Sequence, residues 1–497
     1  MATTAVITSI QNMIRQDIGK QVFEMLPSRE IEPFFAGLGL TSEGVTPFAD
    51  ISRGWLMNLT LSSGLSGQLK WVDPTADLVT TSTSRYHTNA TRLPTNRYPA
   101  ATNLPLKAII QVQVPLAKGV GNIAWPLEFK RAEKMTAAIA KYTELNMKAA
   151  AKMVALNQAN SFFAPASGVI AQVNGTPSST GASDGVITAT IDNGRIFQFQ
   201  DGMLIDIYRL SSGTQGTDAV WAQVNVASAV ATRCVVDGVN YLGTTNNLRL
   251  VCDATLDAAV ANNDYLILAD TYVNATDDYA RKGPMGIEDM LKAAAASTYV
   301  MSPANSSSYG FDLSKYPNFG SLVVAVSGVL DEATLNKNLG LFFDATGLTI
   351  DTVVTTRGVI NKYSEFPLLD SARQMWDRTG AGLKFVGGRG TVSQTYEGRD
   401  WELMQSRFVA PGTLYGVKKS GNFKIAVPPS QPDTNSEGTE YGAPIEFVGQ
   451  ALGYADDFIP VLSDSTHTDM VQSPFGMFYQ VICETPQGIK LTSITED

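Results

Sequence analysis

The stretch that decides the fold runs from residue 104 to residue 165: LPLKAIIQVQVPLAKGVGNIAWPLEFKRAEKMTAAIAKYTELNMKAAAKMVALNQANSFFAP. Residues 110–114 alternate isoleucine or valine with glutamine, which is the period of a half-buried strand. Pro115 and the Lys118–Gly121 run then predict a turn, and residues 123–125 are predicted to return. The sequence therefore predicts a β-hairpin at the start of this stretch.

A long helix is predicted directly after the hairpin. Pro126 suits the first turn of a helix, and the residue before Pro165 favours its end. Thirty-odd residues at 1.5 Å each would span roughly 55 Å, more than the width of a small domain. The apolar residues recur at steps of three and four or their sums: Phe129, Ala132, Met135, Ile139, Tyr142, Leu145, Ala149, Met153, Leu156 and Phe163.

The hairpin needs a neighbour, because two strands alone are marginal in water. We expect it to dock on another subunit, and packing on the chain's own inserted domain is the alternative. The apolar stripe of the helix is expected to be core over at least half its length.

Composition limits the class of protein. The chain has 497 residues, enough for about three domains, with 44% hydrophobic and 17% charged residues. Its net charge of −10 and the lack of a basic run disfavour a general nucleic-acid binder. Polar residues interrupt the uncharged stretch 153–183, which excludes a membrane-spanning helix there.

The cysteines and the N-terminus predict a soluble chain made in a reducing compartment. Cys234, Cys252 and Cys483 show no CxxC spacing, so neither a disulfide framework nor a zinc site is expected. Small buried hydrophobic residues are the favoured interpretation. No basic region precedes an apolar run at the N-terminus, so no secretory signal is expected.

The order of predicted helices and strands indicates an α+β protein with an inserted β region. An amphipathic helix is predicted at Thr3–Leu26, followed by an irregular arm. Lysine is absent between Lys152 and Lys282, where short alternating runs predict a β-barrel or sandwich over residues 170–278. Its strands are predicted at Ile187–Ile191, Leu204–Tyr208, Val220–Val226, Arg233–Val236, Leu248–Cys252 and Tyr265–Ala269, with turns at Asp184-Gly185, Asn193-Gly194, Asp201-Gly202 and Asp237-Gly238.

The remainder mixes helices and strands. Helices are predicted at Pro284–Tyr299, at Asp331–Phe343 and, as a short element, from Thr356. Strands are predicted at Ile350–Thr355, Leu383–Val386, Val392–Thr395, Gly412–Val417, Phe423–Val427, Ile445–Ala451 and Phe475–Glu484. No internal repeat is evident.

Catalytic motifs are nearly absent. His467, between Asp464 and Asp469, could suggest a metal site, but a solvated loop is favoured, and His87 suits a surface role. Residues 387–390 (GGRG) lack the phosphate-loop pattern and favour a turn.

Two further groups of residues fit no defined site. The pairs Asp277-Asp278 and Asp456-Asp457 favour solvated loops over a cation site. We therefore predict no catalytic, cofactor-binding or metal-binding residue and no enzyme activity.

The order of parts resembles the major capsid proteins of tailed bacteriophages, whose Hong-Kong-97-like fold is shared with encapsulins. Leu104–Trp125 resemble the family's extended loop and Pro126–Phe163 its spine helix. Residues 331–363 resemble the helix–strand unit at the junction of its peripheral and axial domains, and residues 411–427 its returning strands.

The resemblance implies a phage major-capsid-like fold in five parts. They are an N-terminal helix and arm at 1–103, an extended hairpin loop at 104–125, the spine helix of the peripheral domain at 126–169, an inserted all-β barrel at 170–278, and the rest of the peripheral domain with the axial domain at 279–497. No long charged segment precedes the arm, so a fused, cleaved scaffold is not expected.

The implied function is assembly of an icosahedral shell from hexamers and pentamers of this chain. The shell would enclose double-stranded DNA without sequence-specific binding or a membrane, and would form in the host bacterial cytoplasm. Scaffolding, portal and decoration proteins are implied partners. An encapsulin-like compartment or another virion protein is the alternative, and a β-rich carbohydrate-active enzyme with a cleft lined by Trp376, Trp401 and Tyr396 is the third.

Overall fold

The computed structural model describes part of the chain, with gaps: residues 32–35, 38, 40–41, 45–47, 55–60, 109–115, 117–126, 156–164, 169–179, 185–192, 195–212, 220–223, 233–240, 246–252, 260–269, 283–295, 298–302, 309–364, 391–396, 399–426, 445–447, 459–460 and 470–496.

Strands outnumber helices in these residues. The helices are α1 (156–163), α2 (Ile287–Met290), α3 (Glu332–Thr346) and α4 (Arg357–Ser364), with short 3-10 helices at Pro33–Phe35, Arg195–Gln198 and Pro317–Phe319. The strands are β1 (Leu40–Thr41), β2 (Val45–Pro47), β3 (Trp55–Thr60), β4 (Ile109–Val114), β5 (Ala117–Pro126), β6 (Val169–Gln172), β7 (Ser178–Ser179), β8 (Val186–Thr190), β9 (Leu204–Ser212), β10 (Val220–Gln223), β11 (Arg233–Val239), β12 (Asn247–Val251), β13 (Tyr265–Leu268), β14 (Tyr299–Val300), β15 (Phe311–Asp312), β16 (Leu322–Gly328), β17 (Thr352–Thr355), β18 (Thr391–Tyr396), β19 (Arg399–Gln405), β20 (Leu414–Val417), β21 (Phe423–Ala426), β22 (Ile445–Phe447), β23 (Ile459–Pro460), β24 (Met470–Cys483) and β25 (Gly488–Ile494).

Four sheets lie outside the 169–268 region in the described part of the chain. Sheet A is built on the long strand β24, which pairs with β5, β21, β22 and β23, while β1 joins the edge of β21. Sheet B contains β2, β3 and β4. Sheet C has the order β16-β25-β20-β17-β19-β18, and β14 pairs with β15 separately.

The predicted hairpin is the main correction to the fold. The strand at 110–114 is confirmed, with Val112 and Val114 buried and Gln111 exposed. Its partner, however, is β3, with Thr60 opposite Ile109, and β5 pairs along its whole length with β24 instead. The turn predicted at Lys118–Gly121 is wrong, because these residues lie inside β5.

The helix start is corrected as well. Pro126 is the last residue of β5, opposite Met470, so its prediction as part of a first helical turn is wrong. A strand end tolerates proline, which has no N–H to donate to the ladder. The predicted end before Pro165 is confirmed, since helix α1 ends at residue 163. Residues 127–155 of the predicted spine helix lie outside the described residues, as do Thr3–Leu26.

The strands from β6 to β13 form a closed barrel. Their order is β6-β13-β9-β11-β12-β8-β7, with β10 paired to β9. Val173, just after β6, forms an antiparallel bridge with Ile191, just after β8. Because β6 and β8 lie towards opposite ends of that order, this bridge joins the two edges of the sheet. A core of its own fills the interior, including Ile187, Ile205, Leu248, Leu250 and Leu266, each fully buried.

Every strand predicted in this region is present with shifted ends. Of its four predicted turns, Asp201-Gly202 is confirmed, with Gly202 at a φ of +83°. Asp237-Gly238 is wrong as a turn, because both residues lie within β11, where the register against β12 shifts between Val236 and Gly238. A β-bulge uses the same residue types as a turn, so local sequence does not separate the two. Residues 184, 193 and 194 lie outside the described residues.

The cysteine prediction is wrong for one pair. Cys234 on β11 and Cys252 just after β12 form a disulfide, with their Cα atoms 4.4 Å apart. They lie next to Val235 and Val251, which are direct partners in the ladder. Their separation of 18 residues matches no motif, so only the strand register reveals the pair. Cys483 is a free buried thiol, as predicted, and burial raises its pKa.

Reducing this disulfide should destabilise the barrel. A cross-link of this loop length typically contributes about 2–4 kcal/mol. We expect dithiothreitol to lower the thermal unfolding midpoint of the wild type, followed by circular dichroism. The matched control is the Cys234→Ala/Cys252→Ala variant, whose midpoint should not respond to the reductant. If dithiothreitol leaves the wild-type midpoint unchanged as well, the disulfide does not stabilise the barrel.

The barrel strands lie between α1 and α2 in the sequence. The chain leaves the body after α1 and returns before α2, where Gly286 packs against the end of α1. A Cβ at Gly286 would lie 2.6 Å from the carbonyl oxygen of Phe162, so only glycine allows this approach. The barrel also contacts the body through Gln198, whose Nε2 donates to the Phe408 carbonyl at 2.8 Å.

The helix predicted at Pro284–Tyr299 is much shorter than expected. The helix is confined to Ile287–Met290, because carbonyl groups of this segment accept hydrogen bonds from residues outside it. The Asp289 carbonyl accepts from the Met301 amide at 2.8 Å, and the Lys292 carbonyl accepts from the Ser321 amide at 2.8 Å. These tertiary hydrogen bonds replace the helical ones that the sequence pattern alone would favour.

Sheet C and its helices follow the sequence closely. Helix α3 begins after Asp331, whose carboxylate accepts from the Thr334 amide at 2.6 Å, and ends at Gly347, at a φ of +71°. The predicted strand and short helix are confirmed as β17 and α4. Later predicted strands are also confirmed with shifted ends, apart from Leu383–Val386, which lies outside the described residues.

Candidate functional site

Five phenylalanine rings join the N-terminal segment to the body. This phenylalanine cluster consists of Phe34, Phe35, Phe162, Phe163 and Phe423, all buried. The Phe34 ring lies 5.1 Å from that of Phe162 and 5.4 Å from that of Phe423, between centroids. Such aromatic pairs contribute beyond the area they bury. The N-terminal segment is therefore part of the main core.

Glu32 precedes these rings and carries a buried carboxyl group. It is 1% exposed, and its Oε2 accepts from Ser406 Oγ at 2.7 Å while its Oε1 accepts from the Phe34 amide at 3.2 Å. Burial raises the pKa of Glu32 to about 7, against the opposing effects of these hydrogen bonds and of the Arg407 and Lys419 charges. The carboxyl group therefore changes charge close to neutral pH.

Two further contacts hold the N-terminal segment. The ammonium group of Lys419 lies 5.5 Å from the Phe34 ring centroid, a cation–π distance, and its Nζ donates to the Pro33 carbonyl at 3.4 Å. Beyond them β1 pairs in parallel with β21, with Leu40 opposite Ile425. Residues 32–41 thus contact the body through rings, a buried acid, a cation and a strand.

Gln480 is the second buried polar residue at this junction. It is 0% exposed, and its Nε2 donates to the Pro115 carbonyl at 2.8 Å, at the bend between β4 and β5. Its Oε1 accepts from the Met285 amide at 2.7 Å and from the Val481 amide at 3.1 Å. One side chain therefore ties β24 to the chain before β5 and to the point where the chain returns from the barrel.

Replacing Gln480 by leucine should destabilise the body. Leucine would leave the Pro115 carbonyl and the Met285 amide buried without these partners, at about 1–3 kcal/mol each. We expect a loss of about 2–5 kcal/mol in the free energy of unfolding by urea. Gln111→Leu, at an exposed position of β4, is the control and should change it by less than about 0.5 kcal/mol. Equal effects of the two variants would contradict the role of Gln480.

A second polar group links α2 to sheet C. Glu288 accepts from the Tyr415 hydroxyl and forms a 2.5 Å ion pair with Lys490. Burial lowers the pKa of the nearby Lys292, whereas the charges of Asp289 and Glu288 act in the opposite direction. The two lysines and the two acids of this group balance each other in charge. Such an arrangement suits a structural network, and we assign no reaction to this group.

The candidate residues from the sequence are not brought together in the described structure. Trp401 is 3% exposed and packs in the core of sheet C, so it does not line a cleft. The other candidates, His87, His467, Trp376, residues 387–390 and the two aspartate pairs, lie outside the described residues. So does the side chain of Tyr396.

The described ranges contain neither a metal-binding cluster nor a membrane-spanning helix. Within them, no group of three or more His, Cys, Asp or Glu side chains is close enough to hold a metal ion. No helix of the described part is long and apolar enough to cross a membrane.

The residues at the junction were missed by sequence reasoning. Gln480 lies in a predicted strand and resembles any polar residue of such a strand. Glu32 is separated from its partner Ser406 by 374 residues, so no local pattern links them. The adjacent Phe34-Phe35 pair in an otherwise turn-rich arm was the one available signal of a buried anchor.

Comparisons with known proteins give low-scoring structural matches. No family model and no curated protein matches. The capsid asymmetric unit of Cyanophage Pam1 matches with a TM-score of 0.31 and 10% identity over 93% of each chain. A structure of Mycobacterium phage Patience matches with a TM-score of 0.30 and 9% identity, over 98% of this chain and 89% of the other. The holo-SrpI encapsulin complex of Synechococcus elongatus PCC 7942 matches with a TM-score of 0.21 and 13% identity over 35% of this chain, which spans about half (52%) of the encapsulin chain.

Proposed function

We propose that this chain is a major capsid protein, which self-assembles into the icosahedral shell around the double-stranded DNA of a tailed bacteriophage. The basis of the proposal is the order of parts that the sequence predicts along the chain: an N-terminal arm, an extended stretch, a long helix, an inserted β domain and a final α+β region, with the helix described at 156–163. The closed barrel between α1 and α2 supports the fourth part. The anchored segment 32–41 supports a body from which an N-terminal arm extends.

We assign the proposed intersubunit loop to a stretch other than the predicted hairpin. Strands β4 and β5 both pair with other strands of this chain, so the predicted hairpin loop at 104–125 is part of its sheets. Residues 61–108 instead connect β3 to β4, and Thr60 lies directly opposite Ile109. We propose that this connection takes part in contacts between subunits.

Replacing residues 61–108 by an Asn-Gly turn tests the proposal. A two-residue turn of this type joins paired antiparallel strands, so the variant keeps the pairing of β3 with β4. Electron microscopy should show closed shells from the wild type, expressed alone or with its neighbouring genes, and none from the deletion. Circular dichroism and the unfolding midpoint are the folding controls. Small discrete particles from the wild type in both preparations would overturn the proposed function, and normal shells from the deletion would overturn the role of the loop.

The nucleic-acid content of the shells separates the two shell functions. A capsid expressed with its packaging partners should protect double-stranded DNA from nuclease, whereas an encapsulin-like compartment should not. The proposed binding is independent of sequence, so the protected DNA should match no single sequence.

A further inference from the structure

Four aliphatic side chains form one row across the outer face of the barrel. The strand register places Leu204 opposite Val235, Val235 opposite Val251, and Val251 opposite Val186. Leu204, Val235 and Val251 are 44%, 38% and 36% exposed, and Val186 is half-buried. We call these four residues the aliphatic row.

The row faces outward because its neighbours in sequence face inward. Ile205, Cys234, Leu250 and Ile187 are all fully buried in the barrel core. Neighbouring strands lie about 4.8 Å apart, so a row across four strands is roughly 14 Å long. Single exposed apolar residues are ordinary, whereas a contiguous row on one face is a candidate contact surface.

A balanced ion pair lies on the two central strands of the row. Asp237 on β11 and Arg249 on β12 are 3.2 Å apart, and their side chains are 48% and 55% exposed. An acid beside a base forms a pair that is complementary to itself, because a two-fold rotation brings the acid of one copy to the base of the other. The Cys234–Cys252 disulfide joins the same two strands and fixes the spacing of these groups.

We propose that the aliphatic row and the Asp237–Arg249 pair are a contact surface for a second copy of this chain, barrel against barrel about a two-fold axis. The Asp237–Arg249 pair, with one charge of each sign, favours a second copy over a partner of strong net charge. The inference rests on the proposed function, and it assigns the barrel the role of linking neighbouring subunits of the shell. The row is small beside a standard interface of about 800 Å² per partner, so each contact is weak and acts through repetition.

Two charge-reversal variants of the full chain test the contact. Asp237→Arg gives a surface with two bases, and Arg249→Asp gives one with two acids. Like charges would then meet across the two-fold axis, and we expect self-association of each variant to weaken about tenfold in sedimentation velocity. An equal mixture of the two variants should recover the wild-type association, because each acidic surface can then meet a basic one.

A third variant tests the apolar part of the surface. Val235→Asp should weaken association at least as much, whereas Leu341→Asp, at a 49% exposed site on α3, is the matched control and should not. Circular dichroism checks folding, and the charge variants keep the test valid if Val235→Asp does not fold.

The outcomes separate this inference from the proposed function. Single charge variants that associate as the wild type does, or a mixture that fails to recover, would overturn the contact. If both charge variants form shells like those of the wild type, with the same resistance to guanidinium, the contact is overturned as well. The proposed function would then still stand. Dimers of the wild type without shells in any preparation would support the contact and count against the proposed function.

Discussion

Phe34→Ala should remove about 3–5 kcal/mol from the free energy of unfolding, among the largest effects expected of a single substitution in this chain. Phe34 is fully buried, and its ring contacts those of Phe35, Phe162, Phe163 and Phe423. Alanine would leave a cavity at the centre of the phenylalanine cluster. It would also remove the ring that faces Lys419, so the N-terminal segment should detach before the rest of the body unfolds.

Denaturation and limited proteolysis measure the two parts of this effect. Guanidinium unfolding gives the global loss, and protease cleavage near residues 32–41 should become faster in the variant. Phe197→Ala is the control, because Phe197 is 45% exposed and its truncation leaves no core cavity. A Phe34→Ala variant as stable and as protease-resistant as this control would show that the N-terminal segment is not anchored through the ring.

Local elements could be predicted from the sequence because local chemistry determines them. Helix α3 has Asp331 at its start and Gly347 at its end, and both residues act as caps. The barrel strands follow from alternating apolar residues between turn formers. Period and capping are properties of neighbouring residues, so one sequence is enough to find them.

The errors concern pairing over long distances. Strands β4 and β5 are adjacent in sequence and were expected to pair, yet their partners are residues 55–60 and 470–479. The disulfide and the Asp237-Gly238 bulge likewise depend on the register between strands. A single sequence does not contain the competing pairing energies that decide such registers.

The junction around Glu32 could not be predicted for the same reason. Acidic residues are usually exposed, and nothing near Glu32 indicates a buried carboxyl. Its environment comes from Ser406, Arg407 and Lys419, which are distant in sequence. Sequence reasoning finds the candidates for a core but does not show which polar residues the core will enclose.

The same buried carboxyl should make the stability of the protein depend on pH near neutrality. The pKa of Glu32 is raised from 4.5 to about 7, so between these values the folded protein holds a proton that the unfolded chain has lost. Stability from this group is therefore fully present below about pH 4.5 and falls as the pH rises to about 7. The shift corresponds to about 3 kcal/mol.

Glu32→Gln isolates this contribution. The amide has the shape of the protonated acid and can still accept from the Phe34 amide, but it does not become charged. The difference in unfolding free energy, variant minus wild type, should therefore grow by about 3 kcal/mol between pH 4.5 and pH 8 and then remain constant. Asp201→Asn, at an exposed barrel position, is the control and should give a much smaller change.

The pH effect should concentrate on the N-terminal segment. Glu32 lies between the arm and the body, with Ser406 and Arg407 facing it after β19 and Lys419 facing it before β21. Above pH 7 the buried carboxylate is charged, and the two cations offset only part of its cost. Proteolysis near residues 32–41 should accordingly accelerate between pH 6 and pH 8 in the wild type and not in Glu32→Gln. If the cleavage rate rises with pH equally in the two proteins, Glu32 does not control the docking of this segment.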